Sequence, residues 1–536
     1  MPGSSTAKKI DSGTDVTAPL LAVGPTPGFR QQVGHISRHS SVFFAGTVFT
    51  AAAGYLFKIY LARVLGAEAL GIYALGMTIV SFLGVFNALG LPQAAVRFVA
   101  AYAGTARPDL LRGFLGRSSA MLLASNLLLG LGMMLAGPWV AVHFYHTPAL
   151  GAYMGLFALV MLFAAFNAFF GQVLAGYKDV ARRTIITSFI GSPLNMVFTV
   201  ALVAVGLGLW GYIAAQVAGA VVVLLMLVTT VWKLTPAAAR SFTQPWPRLE
   251  RQVISFSAAV FGMTFLEFLM AQADKIFIGY YLSARQVGIY AISATLVAFV
   301  PIILQSVNQI FAPTIADLHA RGERQLLGRI FQTLTKWILG LTLPLAGVMI
   351  IFAPGLMRIF GHDFEAGWPI LVIGTAGQLV NCAVGSVGYL LLMSGEQRRL
   401  IRVQAFMAAV MVLLSLLLIP RWGIVGAAAG AAITNAVSNF LCLGQVRKAL
   451  GLIPYNRSYV GLLLPVTATV TLLLGLRFGL KAVRPEWVVI GAGLTLGYLA
   501  FIGVALAFGL NADDRLIAEA AWSRVRGVFP RTGAQA

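Results

Sequence analysis

Fourteen apolar runs, each near the twenty residues a helix needs to cross a hydrocarbon layer about 30 Å thick, leave this chain few ways to fold. They fall near residues 41–64, 70–91, 118–142, 149–173, 184–206, 208–232, 252–281, 286–312, 333–353, 368–393, 400–419, 422–444, 458–480 and 487–509. Several of the loops between them are very short, so neighbouring helices are expected to pack as antiparallel hairpins. Composition agrees: over 536 residues, 59% are hydrophobic and 10% charged, where soluble chains hold near a quarter charged. The expected fold class is an all-α polytopic membrane protein with about fourteen transmembrane helices. Cys382 and Cys442 both lie inside apolar runs, which implies buried thiols and no disulfide framework.

One stretch occurs twice. KIYLARVLGAEALGIYA, Lys58 to Ala74, returns 217 residues later as KIFIGYYLSARQVGIYA, Lys275 to Ala291, with eight identities in seventeen positions. A lysine placed inside an apolar run twice, at one offset, is the mark of an internal duplication. Arg182-Arg183 matches Arg398-Arg399, and GLWG from Gly208 matches GIVG from Gly423, at nearly the same offset. The chain therefore divides into a disordered N-terminal tail (1–40), a first six-helix lobe (41–233), a linker (234–251), a second six-helix lobe (252–446), two further helices (447–510) and a C-terminal tail (511–536). With an even number of spans per copy the lobes share one orientation, related by an axis along the membrane normal. Substrate sites in such repeat-built proteins lie between the copies.

The net charge of +21 suggests nucleic acid only until the basic residues are located. Twenty-nine of the 38 fall in the tails and alternate short loops, so the charge is mostly a topology signal that keeps those loops and both termini cytoplasmic. No nucleic-acid partner is expected. GxxxxGK[ST] does not occur, so no nucleotide is hydrolysed here. The longest loop on the opposite side, Pro354 to Gly367, is too short for a catalytic domain. His143 and His146 form an HxxH without a third ligand, and no metal or other cofactor is expected.

Ionisable residues inside spans are costly and mark function by default. Lys58 and Lys275 stand at equivalent positions about 10 Å from the end of spans 1 and 7. Glu267 and Asp274 are spaced i, i+7, which places both acids on one face of span 7. Each lysine can instead snorkel along its own stem, and Asp274 can simply neutralise one of them; Arg63 and Arg285 read as interfacial anchors. Asn87 and Asn308 head a set of polar residues in the spans, able to line a cavity or to link helices. Pro92, Pro193, Pro301, Pro344 and Pro465 are candidate bends.

LARVLGAEALGIYAL and ADKIFIGYYLSARQVGIYAISATL closely resemble the hallmark segments of bacterial polysaccharide flippases, within the multidrug/oligosaccharidyl-lipid/polysaccharide superfamily. The resemblance covers roughly residues 40–510. It implies alternating access and a lipid-pyrophosphate-linked oligosaccharide carried across the bacterial plasma membrane, with membrane lipids, a coupling ion (H+ or Na+) and glycan polymerase or export proteins as partners. On that reading Lys58 and Lys275 offset the desolvation of the pyrophosphate, and the chain is not an enzyme. The alternatives are a cation-coupled multidrug or lipid II exporter of the same superfamily, or a membrane polysaccharide polymerase or glycosyltransferase.

Overall fold

Within lipid a backbone must satisfy its own hydrogen bonds, and in the computed structural model every described element is helical. The structure describes residues 27–240, 246–480 and 486–508, with side chains from residue 53 onward except at 259 and 508. Most of the expected N-terminal tail, part of the linker, Lys481, Arg484 and the C-terminal tail lie outside the described residues. The first half comprises α1 (Pro27–Ala88), α2 (Leu91–Gly104), α3 (Pro108–His143), the short α4 (Pro148–Gly151), α5 (Met154–Gly176), α6 (Val180–Thr184), α7 (Ser192–Leu202) and α8 (Gly208–Leu234). In the second half follow α9 (Arg251–Tyr281), α10 (Ala284–Val297), α11 (Ile302–Ala320), α12 (Arg324–Ile351), α13 (Ala353–Arg358), α14 (Trp368–Val384), α15 (Val387–Met393) and α16 (Gln397–Leu450). Two last helices, α17 (Leu463–Gly479) and α18 (Glu486–Phe508), stand outside the repeat.

Among the described residues ten helical stretches are long and apolar enough to cross a membrane, eleven if α10 and α11 count as one bent span. The difference from the expected fourteen arises at glycines. In α16 the backbone at Gly423 (φ 59°, ψ −139°) leaves the helical region, and beyond it Gly426 packs on the Leu418 carbonyl and Gly430 on Leu414. The helix has turned back on itself there. Gly208 (φ 50°, ψ −130°) repeats this backbone at the matching place in the first half, where Gly211 packs on Leu202. Gly66 (φ 79°, ψ 176°) breaks α1. Glycine suits all three because such angles strain a residue with a β-carbon.

The second apolar run does not end at Pro92. After a break at Leu89 and Gly90, both with positive φ, the chain resumes as α2, and Pro92 opens that helix. Pro193 stands where a π-helical segment, Ile185–Gly191, runs into α7, inside a continuous helical stretch. Pro301 marks a real break, a 51° bend between α10 and α11. Pro344 sits inside an unbroken α12. Helix α1 begins at Pro27, inside the stretch expected to be tail.

The hydrophobic cores show how the halves join. The largest unites both, with Leu61, Leu75 and Phe157 from the first half and Ile278, Val287 and Phe360 from the second. A second core, around Phe98, Phe114 and Phe169, is confined to the first half and the foot of α9. A third, around Phe311, Phe331 and Met407, belongs to the second half. The two separate cores lie toward the arginine-rich loops and the shared one lies at the opposite ends of the helices.

The duplicated stretch forms the seam of the shared core. A β-carbon on Gly71 would fall 1.7 Å from the Ala284 carbonyl oxygen, and one on Gly288 would fall 2.0 Å from the Ala67 carbonyl oxygen. Ala67 and Gly71 match Ala284 and Gly288 in the repeat, so the contact is reciprocal. Small residues spaced four apart let two helix backbones touch, as at other membrane helix crossings.

Candidate functional site

Below this seam, between the halves, lies a cavity of about 430 Å³. Lys58, Tyr73 and Thr78 line it from the first half, Gln272, Lys275 and Thr295 from the second, and Tyr212 of α8 closes one side. The repeat places Lys58 opposite Lys275 and Thr78 opposite Thr295. Lys58 Nζ donates to Thr295 Oγ1 across the halves at 3.3 Å, and Lys275 Nζ donates to Gln272 Oε1 at 2.8 Å. Both ammonium groups are thus directed into the space between the halves. Two cations facing one partly apolar cavity repel each other, and an anion placed between them would relieve that repulsion.

Asp274 is buried beside this cavity. Its carboxylate accepts the Tyr290 hydroxyl at 2.5 Å and the Lys275 backbone N–H at 2.7 Å, so hydroxyl and amide donors serve it where a lysine ammonium was one expectation. The first half has no counterpart: Phe57 matches Asp274 in the repeat, and Tyr73, which matches Tyr290, packs its ring 4.6 Å from that of Tyr212.

Other expected site residues go elsewhere. Glu267 is exposed on α9 and is not part of the cavity lining; it shares a face of the unbroken α9 with Asp274 by spacing, but only Asp274 is buried there. Asn87 is buried and donates to Asn126 Oδ1 at 2.7 Å, linking α1 to α3 within the first half. Asn308 is buried in α11, and its Oδ1 meets no donor among the described residues. Arg63 donates to the Ile359 carbonyl at 2.9 Å and Arg285 pairs with Asp363 at 2.8 Å. Both hold the segment between α12 and α14, where Arg358 in turn pairs with Glu365 and with Glu486 at the start of α18. His143 stacks on Trp139, and His146 lies beside Tyr280.

Thr78, Thr295, Gln272, Tyr73, Tyr290 and Tyr212 were not anticipated. The threonines stand four residues past the duplicated GIYA, at the same 217-residue offset as the lysines, so a longer alignment of the copies would have found them. Tyr212 carries no such signal.

A two-lobed membrane protein with its cavity at the interface between repeats is the class that this fold and site define. Residues 60–366 match the family described as "Polysaccharide biosynthesis protein". The chain belongs to that family, within the multidrug/oligosaccharidyl-lipid/polysaccharide superfamily. It is 25% identical over 321 residues to the succinoglycan biosynthesis transport protein ExoT of Rhizobium meliloti, a match covering 58% of this chain and 60% of that protein. It is 23% identical over 406 residues to the lipid III flippase of Escherichia coli, covering 75% of this chain and 95% of that one. In fold it is similar to the lipid II flippase MurJ in an inward closed conformation, with a TM-score of 0.67 at 13% identity over 86% of this chain and 97% of MurJ.

Proposed function

We propose that this chain moves a lipid-linked oligosaccharide, joined through a pyrophosphate, from the inner to the outer leaflet of the bacterial plasma membrane. The observation that carries this reading is the interface cavity, to which each half contributes a lysine and a threonine. Lysines act there as point charges toward the pyrophosphate, the part of such a lipid that loses most on leaving water. The threonine hydroxyls and Gln272 offer bonds to sugar. Alternating access takes the form of separating the shared core and closing the gap between the two split ones. Transport, not bond chemistry, is the activity assigned to the chain. Asp274, held by Tyr290, is the group through which a proton or cation gradient drives the cycle.

The test is export of glycan by Lys275→Ala in a strain lacking the native protein. Normal abundance with lost export is the expected result, and Lys275→Arg should retain part of the activity. Normal export by the alanine variant at normal abundance overturns the cavity assignment. A merely structural lysine would instead lower abundance, because Gln272 Oε1 would lose its donor.

Both termini and the loops near Arg182 and Arg398 are assigned to the cytoplasm, with Asp363 and Glu486 outside. In a cysteine-free background, an impermeant thiol reagent should label cysteine placed at 363 and spare cysteine placed at 182. Labelling at 182 alone would invert the orientation.

A further inference from the structure

A second cavity, of about 420 Å³, lies away from the interface, between α3, α5, α8 and the joining residues Thr235, Ala239, Arg240 and Trp246. It shares no residue with the interface cavity. Its shaft is apolar, walled by Leu115, Ala120 and Leu123 of α3 and by Phe166 and Phe170 of α5. Its head is cationic: Arg112 and Arg240 both line it. From Arg112 to Leu123 the shaft runs along α3 for about 16 Å at helical rise.

We infer that this cavity is a binding site for an anionic phospholipid, the phosphodiester between Arg112 and Arg240 and one acyl chain in the shaft. The placement of the charges argues for it. Arg112 is buried near the first turn of α3, with Asp109 at 3.8 Å. Arg240 donates to the Thr235 carbonyl at 2.6 Å and the Lys233 carbonyl at 3.0 Å, which fixes its guanidinium, and its charge lies over the Trp232 ring at 5.8 Å. These two bonds use Nε–H and one hydrogen of a terminal nitrogen, and the guanidinium has five N–H donors in all, so the head keeps donors for a phosphate oxygen.

The aromatic groups argue for it too. Trp232 and Trp246 are exposed, as is Leu123, so the cavity opens on the flank of the lobe with indoles at the level of the cationic head, the usual depth of tryptophan at a membrane interface. Basic pockets between helices on the cytoplasmic side take anionic headgroups. Glycine makes the roof possible: a β-carbon on Gly116 would lie 2.5–2.7 Å from Trp246 ring atoms. Arg117 holds that roof by donating to the carbonyls of Trp246 at 2.9 Å and Pro247 at 2.6 Å. Trp246 belongs to the segment joining the halves, so a lipid seated beneath it braces that connection.

The experiment is native mass spectrometry of the full chain released from micelles doped with phosphatidylglycerol or with phosphatidylcholine of the same acyl chains. Retention of phosphatidylglycerol should exceed that of phosphatidylcholine by about thirtyfold, the size expected of two cations at a membrane surface. Arg240→Gln should lower the preference to about fivefold, the share of the one cation left. Ala120→Phe, which leaves both arginines in place and fills the shaft, should abolish retention of either lipid. Equal retention of both lipids, or unchanged selective retention in both variants, overturns the proposal. So does protection from thermal unfolding by inorganic phosphate alone equal to that given by the lipid.

Discussion

Gly71 and Gly288 touch their opposite copies in the same way, each against the carbonyl of the alanine four residues before its partner. Phe57 and Asp274 also stand at matching positions, and they share nothing but place. Phe57 packs on Tyr60, while Asp274 holds a hydroxyl and an amide. Where backbones meet, neither copy could drift without the other. At and beside the cavity the second copy carries Gln272 and Asp274 where the first has Tyr55 and Phe57. The backbone seam and the two cavity lysines keep the symmetry of the repeat, and the buried acid beside the cavity breaks it.

The comparison is most severely tested at the seam. Gly71→Leu drives a side chain into a backbone carbonyl that has no rotamer to move to, so the halves must part. Overpacking a core typically costs 1–3 kcal/mol, and about 3 kcal/mol is expected here, read as a large loss of thermal stability in detergent. Gly288→Leu should do the same, whereas Gly84→Ala, with open space around it, should leave the melting temperature unchanged. A native melting temperature for Gly71→Leu would dissolve the symmetric half of the comparison.

A smaller effect is expected from the two tyrosines. Tyr290→Phe deprives a buried carboxylate of a hydroxyl donor, worth about 1.5–3 kcal/mol for a bond to a charged group. Tyr73→Phe removes a hydroxyl from the half without the acid, and should cost clearly less. If the two variants lose equal stability and equal transport, the asymmetry assigned to Asp274 is decorative. The smallest effect belongs to Glu267→Gln, which should shift stability by no more than about 0.5 kcal/mol and leave export unchanged. Lost export in that variant would bring Glu267 back into the site.

Much of this was legible in the chain. Apolar runs marked the helices because lipid offers no other partner for a backbone, and GLWG and GIVG marked two of the reversals because glycine alone tolerates the angles there. The lysine pair came together as its offset implied. The extension of the second run into α2 was hidden by Arg97, a charge that reads as loop and in fact lies on a helix with its guanidinium over Phe98 and Phe256. Glu267 and Asp274 do lie on one side of α9 by periodicity. Periodicity does not say what covers that side, and the neighbours of α9 change along its length: the Phe82 ring packs on Phe268 near one acid, and Tyr290 reaches the other. Asn87 was readable as cavity or as link, and only Asn126, 39 residues away, decides between them.

The division of the hydrophobic interior into one joint mass at one end and two at the other bears on something besides cargo. A membrane that stores energy as an ion gradient tolerates no continuous water path, yet a sugar chain needs a wide wet one. In the proposed transport cycle, the mass that seals one end must be broken before that end can admit water, and if breaking it swings the opposite ends together the two openings exclude each other. On the proposed function, the same contacts that hold the molecule together also keep the membrane from discharging each time a glycan passes.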